Sequence, residues 1–155
     1  MILLFGPTGA GKSVQGQMLA VRMGWKWLST GQMLRGSSDP AVIEILKSGE
    51  LVSDELTYEV FDEAVQSAKQ HKFANIIVDG FPRTKAQAEW LAEYLRKQGE
   101  TIDLVVALEV PESEIMNRLS KRGRMEDTPE TIARRMHIYR RKMYPVLGIF
   151  AEDGI

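Results

Sequence analysis

The sequence predicts an α/β fold in which a short, mostly parallel sheet is flanked by helices on both faces. Three observations carry this. Short apolar runs alternate with longer stretches of helical spacing along the whole chain. The runs are almost continuously hydrophobic, as strands buried on both faces must be. A glycine-rich loop joins the first run to the first helix and an aspartate ends a later run, so polar groups gather where strands give way to helices.

Taken in order, Met1–Phe5 reads as a strand ended by Gly6. Lys12–Met23 has helical spacing, with Val14, Met18, Leu19 and Met23 as its apolar residues and Gly24 as its stop. Lys26–Ser29 is a short second strand. Residues 31–53 are rich in glycine and proline around one helical piece near Ala41–Lys47, whose apolar side is Val42, Ile45 and Leu46. Asp54 is expected to cap the next helix, which runs to about His71 with Leu56, Val60, Phe61, Val65 and Ala68 at helical spacing. Asn75–Asp79 is an apolar strand ending in an acid. Thr84–Lys97 is a helix with Ala88, Leu91 and Leu95 on one side. Ile102–Val110 is a strand, and Pro111 opens another helix. Residues 123–128 form a polar turn. Pro129 opens a last helix with a stripe of Ile132, Met136, Tyr139 and Met143, which Pro145 interrupts or ends.

Composition bounds the function. The 155 residues amount to about one domain, and 44% hydrophobic with 26% charged residues excludes a disordered chain. With no cysteine, disulfides, thiolate metal sites and cysteine nucleophiles are excluded. No apolar run approaches the length of a membrane span. The opening MILLFG lacks a basic leader and reads as a strand, not a signal peptide. The net charge of −1 hides a division: residues 35–114 carry a net −8 and residues 118–142 a net +6. That basic segment contains one aromatic, Tyr139, so arginines aimed at small-molecule phosphates fit it better than a nucleic-acid surface. His71 and His137 are isolated and have no metal-like spacing.

The chemistry is concentrated in three places. Gly6-Pro-Thr-Gly-Ala-Gly11-Lys12-Ser13 fits GxxxxGK[ST] between a strand and a helix, the context that a phosphate loop requires. Its glycines let backbone N–H groups converge on phosphate oxygens, Lys12 supplies a mobile positive charge and Ser13 offers a hydroxyl to magnesium. Asp79, at a strand end beside this loop, is placed to hold the same ion, and Arg83 emerges at that edge of the sheet. Arg118 and Arg122 share a helix face, Arg124 follows in the turn and Arg135 lies one helix later. Arginines on both sides of a short turn suggest a clamp on phosphates.

With these residues in hand, the sequence resembles the adenylate kinase family of nucleoside monophosphate kinases. GPTGAGKSVQG is similar to its phosphate loop, LSTGQMLR (28–35) to its TGD-type element and GELVSDE (49–55) to its GxLVPDE stretch. DGFPRTKAQ (79–87) is a near-complete match to its DGFPRT-x-x-Q segment, and RLSKRGRMED (118–127) with ETIARRM (130–136) looks like its lid arginines and the helix after them. The matches keep order over nearly all of the chain.

The resemblance implies a three-layer P-loop kinase fold in one domain over 1–155, with a small monophosphate-binding insert at about 30–53 and a very short lid at about 122–128. It implies magnesium-dependent phosphoryl transfer from ATP, as co-substrate, to AMP. Gly9, Gly11, Lys12, Ser13, Val14, Arg118 and Arg122 would hold ATP, with Arg118 packed on its adenine. Thr30, Arg35, Gly80, Arg83 and Gln87 would hold the monophosphate. Arg35 and Arg83 would grip its phosphate and Gln87 would read the base, a glutamine there going with adenine and an asparagine with pyrimidines. Lys12, Arg83, Arg122, Arg124 and Arg135 would stabilise the transferring group. Arg124 and Arg135 would reach the acceptor, Asp79 and Ser13 the magnesium, and Asp127 would pair with the lid arginines. A monomer in the cytoplasm, acting on nucleotides without membrane or nucleic acid, is the family expectation.

Several positions depart from the family pattern. Ser13-Val14 stands for Gly-Thr, Gln32 for the acid of TGD, Ser53 for the proline of LVPDE and Glu126 for one aspartate of a pair. Only Gly123 separates Arg122 from Arg124. Family members continue past the position of FAEDGI into one more strand and a helix, so a four-stranded sheet is expected. Two rival readings are a kinase for UMP, CMP or a broad range of acceptors, and a nucleotide-dependent binding module with little kinase activity.

Overall fold

A central sheet of four short parallel strands organises the chain, seen in a computed structural model that describes residues 1–124 and 127–155. β1 (Ile2–Phe5), β2 (Lys26–Ser29), β3 (Ile76–Asp79) and β4 (Leu104–Ala107) stand in the order β2-β3-β1-β4. Leu3 pairs with Val78 and with Val105, and Ser29 pairs with Asp79, so the carboxyl ends of β2 and β3 are level. β4 is shorter than its apolar run suggests, and Leu104 on this edge strand is 48% exposed.

The strand alternation builds a core on each side. Leu3, Phe5, Leu28 and Val78 face α4 (Asp54–Gln70), α5 (Lys85–Lys97) and α8 (Tyr144–Glu152). Ile2, Leu4 and Ile77 face α1 (Lys12–Met23). These are the three layers expected. α2 (Thr30–Arg35) and α3 (Pro40–Ser48) enclose a small separate core with Leu34, Val42 and Val52. α6 (Glu112–Arg122) and α7 (Pro129–Ile138) join through Ile115, Leu119, Ile132 and Met136.

Two expectations need correction and a third is made specific. Of the apolar residues expected on α1 only Leu19 packs against the sheet, partly buried; Val14, Met18 and Met23 are exposed, and the residues the helix buries are Gly16 and Ala20. A Cβ on Gly16 would come within 2.7 Å of the Trp27 ring and 2.8 Å of Leu4, so close approach to the sheet selects small residues over large ones. Asp54 is not the cap of α4. Ser53 is, accepting the Leu56 N–H at 3.3 Å, and Asp54 is the first helical residue. The last helix is interrupted just before Pro145, as expected: α7 ends at Ile138. A π-helical turn over Tyr139–Met143 follows, and Pro145 sits in the first turn of α8, where no N–H is needed.

Candidate active site

The phosphate loop is built by backbone. Gly6, Gly9 and Gly11 all adopt positive φ, and at Gly6 (φ 141°) a Cβ would also meet the Leu108 carbonyl oxygen at 2.8 Å. The loop therefore curls tightly between β1 and α1 and presents the N-terminus of α1 to the cleft. Lys12 folds back over it, donating to the Gly6 and Pro7 carbonyls at 2.8 and 2.9 Å. Burial pushes the Lys12 ammonium down to about 8; Asp79 opposes this, while Arg83 and Arg122 add to it. Val14 lies beyond Ser13 on the exposed side of α1.

Asp79 ends β3 with only 3% of its surface exposed, and the Ser13 hydroxyl donates to its Oδ2 at 2.6 Å. A hydroxyl and a carboxylate side by side are the hard oxygen donors that suit Mg²⁺, which takes few protein ligands beside phosphates and water. Among the described residues no cluster of three or more His, Asp or Glu side chains competes as a metal site.

The turn after β3 carries the second half of the cleft. Phe81 anchors it, buried with its ring 4.7 Å from Phe61 and 6.0 Å from Trp90, and the Phe81–Pro82 peptide is cis. The turn then throws Arg83 back across itself, with Nε donating to the Gly80 carbonyl at 2.5 Å. Gly80 (φ 87°) makes this possible, since a Cβ there would stand 3.0 Å from Arg83 Nη2 and 3.1 Å from Thr30 Oγ1. Beside Gly31 in α2, Nη atoms of Arg35 and Arg83 each lie 3.4 Å from where a Cβ would be, in ordinary contact distance. Two guanidinium groups thus converge on one spot. Burial, with Arg135 nearby, lowers the Arg83 pKa, and Asp79 raises it. Such a concentration of positive charge in a cleft calls for an anion with several charges.

Further arginines stand on α6 and α7, and of these Arg135 lines the cleft. Arg122 makes a two-pronged contact with Asp127, Nε to Oδ2 at 2.7 Å and Nη2 to Oδ1 at 2.5 Å. Arg135 Nη1 reaches the same carboxylate at 3.5 Å, and its Nη2 donates to the Leu46 carbonyl at 3.0 Å. The expected pairing of Asp127 with the lid arginines is therefore present. Arg134 donates to the Ser48 carbonyl at 3.0 Å, so α7 also grips the end of α3. Arg118 lies at the loop's mouth, held by Glu114 at 2.7 Å and donating to the Ala10 carbonyl at 3.4 Å.

One cleft of about 140 Å³ is lined by Lys12, Ser13, Arg35, Asp79, Gly80, Arg83 and Arg135. Thr30 and Gln87 line a narrower pocket that shares Arg83 with it. Arg124 is exposed in the turn and does not line the cleft, and the departure at Glu126 lies outside the described residues. The sequence reading passed over Gly31, beside which the two arginines meet, and the side-chain contact of Asp54 with Gln87. Only the TG pair at 30–31 could have pointed to the first. Nothing local marks the second, because the two residues are 33 positions apart.

The geometry sets Lys12 and the glycine loop, and Arg35 with Arg83, around one cleft with Asp79, and the comparisons with known proteins bear on what such a cleft belongs to. The sequence model of the family described as adenylate kinase matches residues 4–155. The adenylate kinase of Maricaulis maris is 39% identical over 163 residues, covering 99% of this chain and 86% of that one. The adenylate kinase of Thermus thermophilus is 38% identical over 164 residues (99% and 84%), and that of Bacteroides thetaiotaomicron 36% over 165 residues (98% and 85%). Likeness of this extent, running from the phosphate loop through the arginine-bearing helices, makes the chain a member of the adenylate kinase family.

Proposed function

We propose that this chain, by family an ATP-dependent nucleoside monophosphate phosphotransferase, catalyses MgATP + AMP ⇌ 2 ADP with its two nucleotides meeting tail to tail over the carboxyl ends of β1 and β3. The observation that carries the reading is the convergence of Arg35 and Arg83 beside Gly31, opposite Lys12 and the phosphate loop. A protein that only bound ATP would need no second cationic site.

In this reading Gly9, Gly11, Lys12 and Ser13 cradle the triphosphate, and Val14 and Arg118 border it. Arg35 and Arg83 hold the acceptor phosphate, while Thr30, Gly80 and Gln87 shape its nucleoside pocket. Little covalent chemistry is asked of the protein, because the attacking phosphate oxygen is already anionic. The side chains align it with the γ-phosphorus and spread positive charge over the transferring group. Lys12, Arg83, Arg122 and Arg135 do this from four directions, with Arg124 joining as the turn closes. Ser13 and Asp79 would hold Mg²⁺, which supplies neutralising charge to the phosphate oxygens when bound. The contacts of α7 with the end of α3 support a cleft that shuts water out, since water is the competing acceptor.

The proposal includes one catalytic domain over 1–155, an insert at about 30–53 that moves with the acceptor, and a lid at about 122–128. It also includes a cytoplasmic monomer acting on nucleotides, with no nucleic-acid or membrane partner. No helix among the described residues is long and apolar enough to cross a membrane.

The test is chromatographic separation of nucleotides after incubation with MgATP and AMP, CMP, UMP or GMP in turn, with a control lacking acceptor. ADP formed from both ATP and AMP, with the other acceptors slow, is expected. Turnover chiefly with a pyrimidine acceptor, or ATP binding without transfer to any acceptor, would overturn the assignment.

A further inference from the structure

Gln87 is 1% exposed and lines the narrow pocket beside Arg83. Its amide is held at both ends. The backbone N–H of Arg83 donates to Oε1 at 2.7 Å, and Nε2 donates to Asp54 Oδ1, also at 2.7 Å. These partners differ in kind. A backbone N–H can only donate, and an ionised carboxylate can only accept. Rotating the amide by half a turn would set NH₂ against N–H and oxygen against carboxylate, losing two hydrogen bonds and adding two repulsions in a buried place. The orientation is thereby fixed. One lone pair of Oε1 and one N–H of Nε2 remain to face an occupant.

The hydroxyls lining the same pocket are committed as well. Thr30 Oγ1 donates to the Gly80 carbonyl and Thr57 Oγ1 to the Ser53 carbonyl, each at 2.8 Å. Each hydroxyl hydrogen is spent, so toward an occupant these oxygens can only accept. Apart from the Arg83 guanidinium, which turns back on Gly80 and also lines the larger cleft, the side chains of the pocket offer acceptors and a single amide donor. That surplus of acceptors suits a base edge with an exocyclic amino group beside an unprotonated ring nitrogen. An edge with a carbonyl beside a ring N–H presents the reverse order to the fixed amide and would set its oxygen among acceptors.

We propose that Asp54 is a positioning residue which, with the Arg83 backbone N–H, locks the Gln87 amide to read an amino-bearing base and reject its keto counterpart. The inference rests on the reading of Gln87 as the base-facing residue. It extends that reading to a residue that does not itself touch the base. Arg83 then serves both ends of the acceptor, its guanidinium the phosphate and its N–H the orientation of the base reader.

AMP and IMP test the lock, because their bases differ at this edge alone. The measurement is kcat/KM for each acceptor at saturating MgATP, for wild type, Asp54→Asn, Asp54→Leu and Gln87→Leu, with circular dichroism to confirm folding. Wild type is expected to favour AMP strongly. Asp54→Asn keeps the size of the side chain but no longer enforces acceptance, and Asp54→Leu removes the bond. Each is expected to lower the AMP/IMP ratio by about tenfold or more, the worth of one charge-assisted hydrogen bond. KM for MgATP should be unchanged. Gln87→Leu should collapse the ratio altogether. If Gln87→Leu collapses it while both Asp54 variants stay within about twofold of wild type, Asp54 does not position the amide and the inference falls. If Gln87→Leu leaves the ratio intact, Gln87 is not the base reader and the reading beneath the inference falls instead.

Discussion

Replacing Lys12 by methionine should make the protein more stable while abolishing transfer. The buried ammonium is pushed down from 10.5 to about 8, and that gap corresponds to about 3 kcal/mol. In the folded state the group binds its proton less tightly than in the unfolded chain. The penalty is therefore carried in full below about pH 8 and relieved as pH rises toward 10.5. Methionine removes it but also removes the bonds to the Gly6 and Pro7 carbonyls, which offsets part of the gain. A net stabilisation of about 1–2 kcal/mol remains, or roughly 2–8 °C in Tm for a domain of this size. Calorimetry at pH 7 and pH 9.5 reads the effect. Lys12→Met should melt higher at pH 7, and its advantage should shrink at pH 9.5. The same lysine predicts that kcat/KM for ATP falls above about pH 8, since that parameter reports the free enzyme, while kcat holds to higher pH because bound phosphate favours the ammonium. A variant less stable than wild type at pH 7, or an advantage independent of pH, would refute the reasoning.

Three further outcomes follow from the geometry. Arg83→Ala should lower kcat by a factor of about 10²–10³ with little loss of fold; retention of more than about a tenth of wild-type turnover would remove Arg83 from the catalytic set. Asp127→Asn strips the carboxylate that Arg122 and Arg135 share, whose side chain is only 2% exposed, and should cost about 3 kcal/mol in urea unfolding. Gly16→Ala gains helix propensity worth about 1 kcal/mol but drives a methyl into Trp27 and Leu4, so a net loss of about 1–2 kcal/mol is expected, and an increase in Tm would show that α1 can simply shift outward.

Much of the fold was legible because its signals are local. A strand that is apolar throughout, a glycine loop and a proline-started helix each identify themselves within a dozen residues. α1 shows where that fails. Val14, Met18 and Met23 look like a buried face, yet they are exposed, because what decides the packing is the approach of Gly16 to Trp27 across eleven positions. A small residue in mid-helix reads as a weakness in sequence and acts as a contact in space. Near the end of the chain Pro145 marks the interruption of the last helix, but nothing local announces the π-helical turn over Tyr139–Met143 or the further helix that runs to Glu152.

The site divides along the same line. Lys12, Asp79 and Arg83 stood out since their chemistry is carried by motifs of contiguous residues. What prepares them did not. Gly80 matters because the Arg83 guanidinium passes where a side chain would be, and Asp54 matters because Gln87 is folded onto it from another helix. The arginines differ correspondingly in how they await phosphate. Arg83 is set by a neutral carbonyl, that of Gly80, so its geometry is fixed while its charge is only partly met, at longer range, by Asp79. Arg122 is held by a carboxylate at both prongs. On the proposed reading, a nucleotide entering the Arg83 side would meet a charge already aimed at it, whereas one that recruits Arg122 would have to compete with Asp127 for the guanidinium. Preorganisation at the proposed acceptor site and exchange at the proposed lid would then place the reorganisation cost of closure on the side of the larger polyanion, where two additional phosphates would be available to offset it.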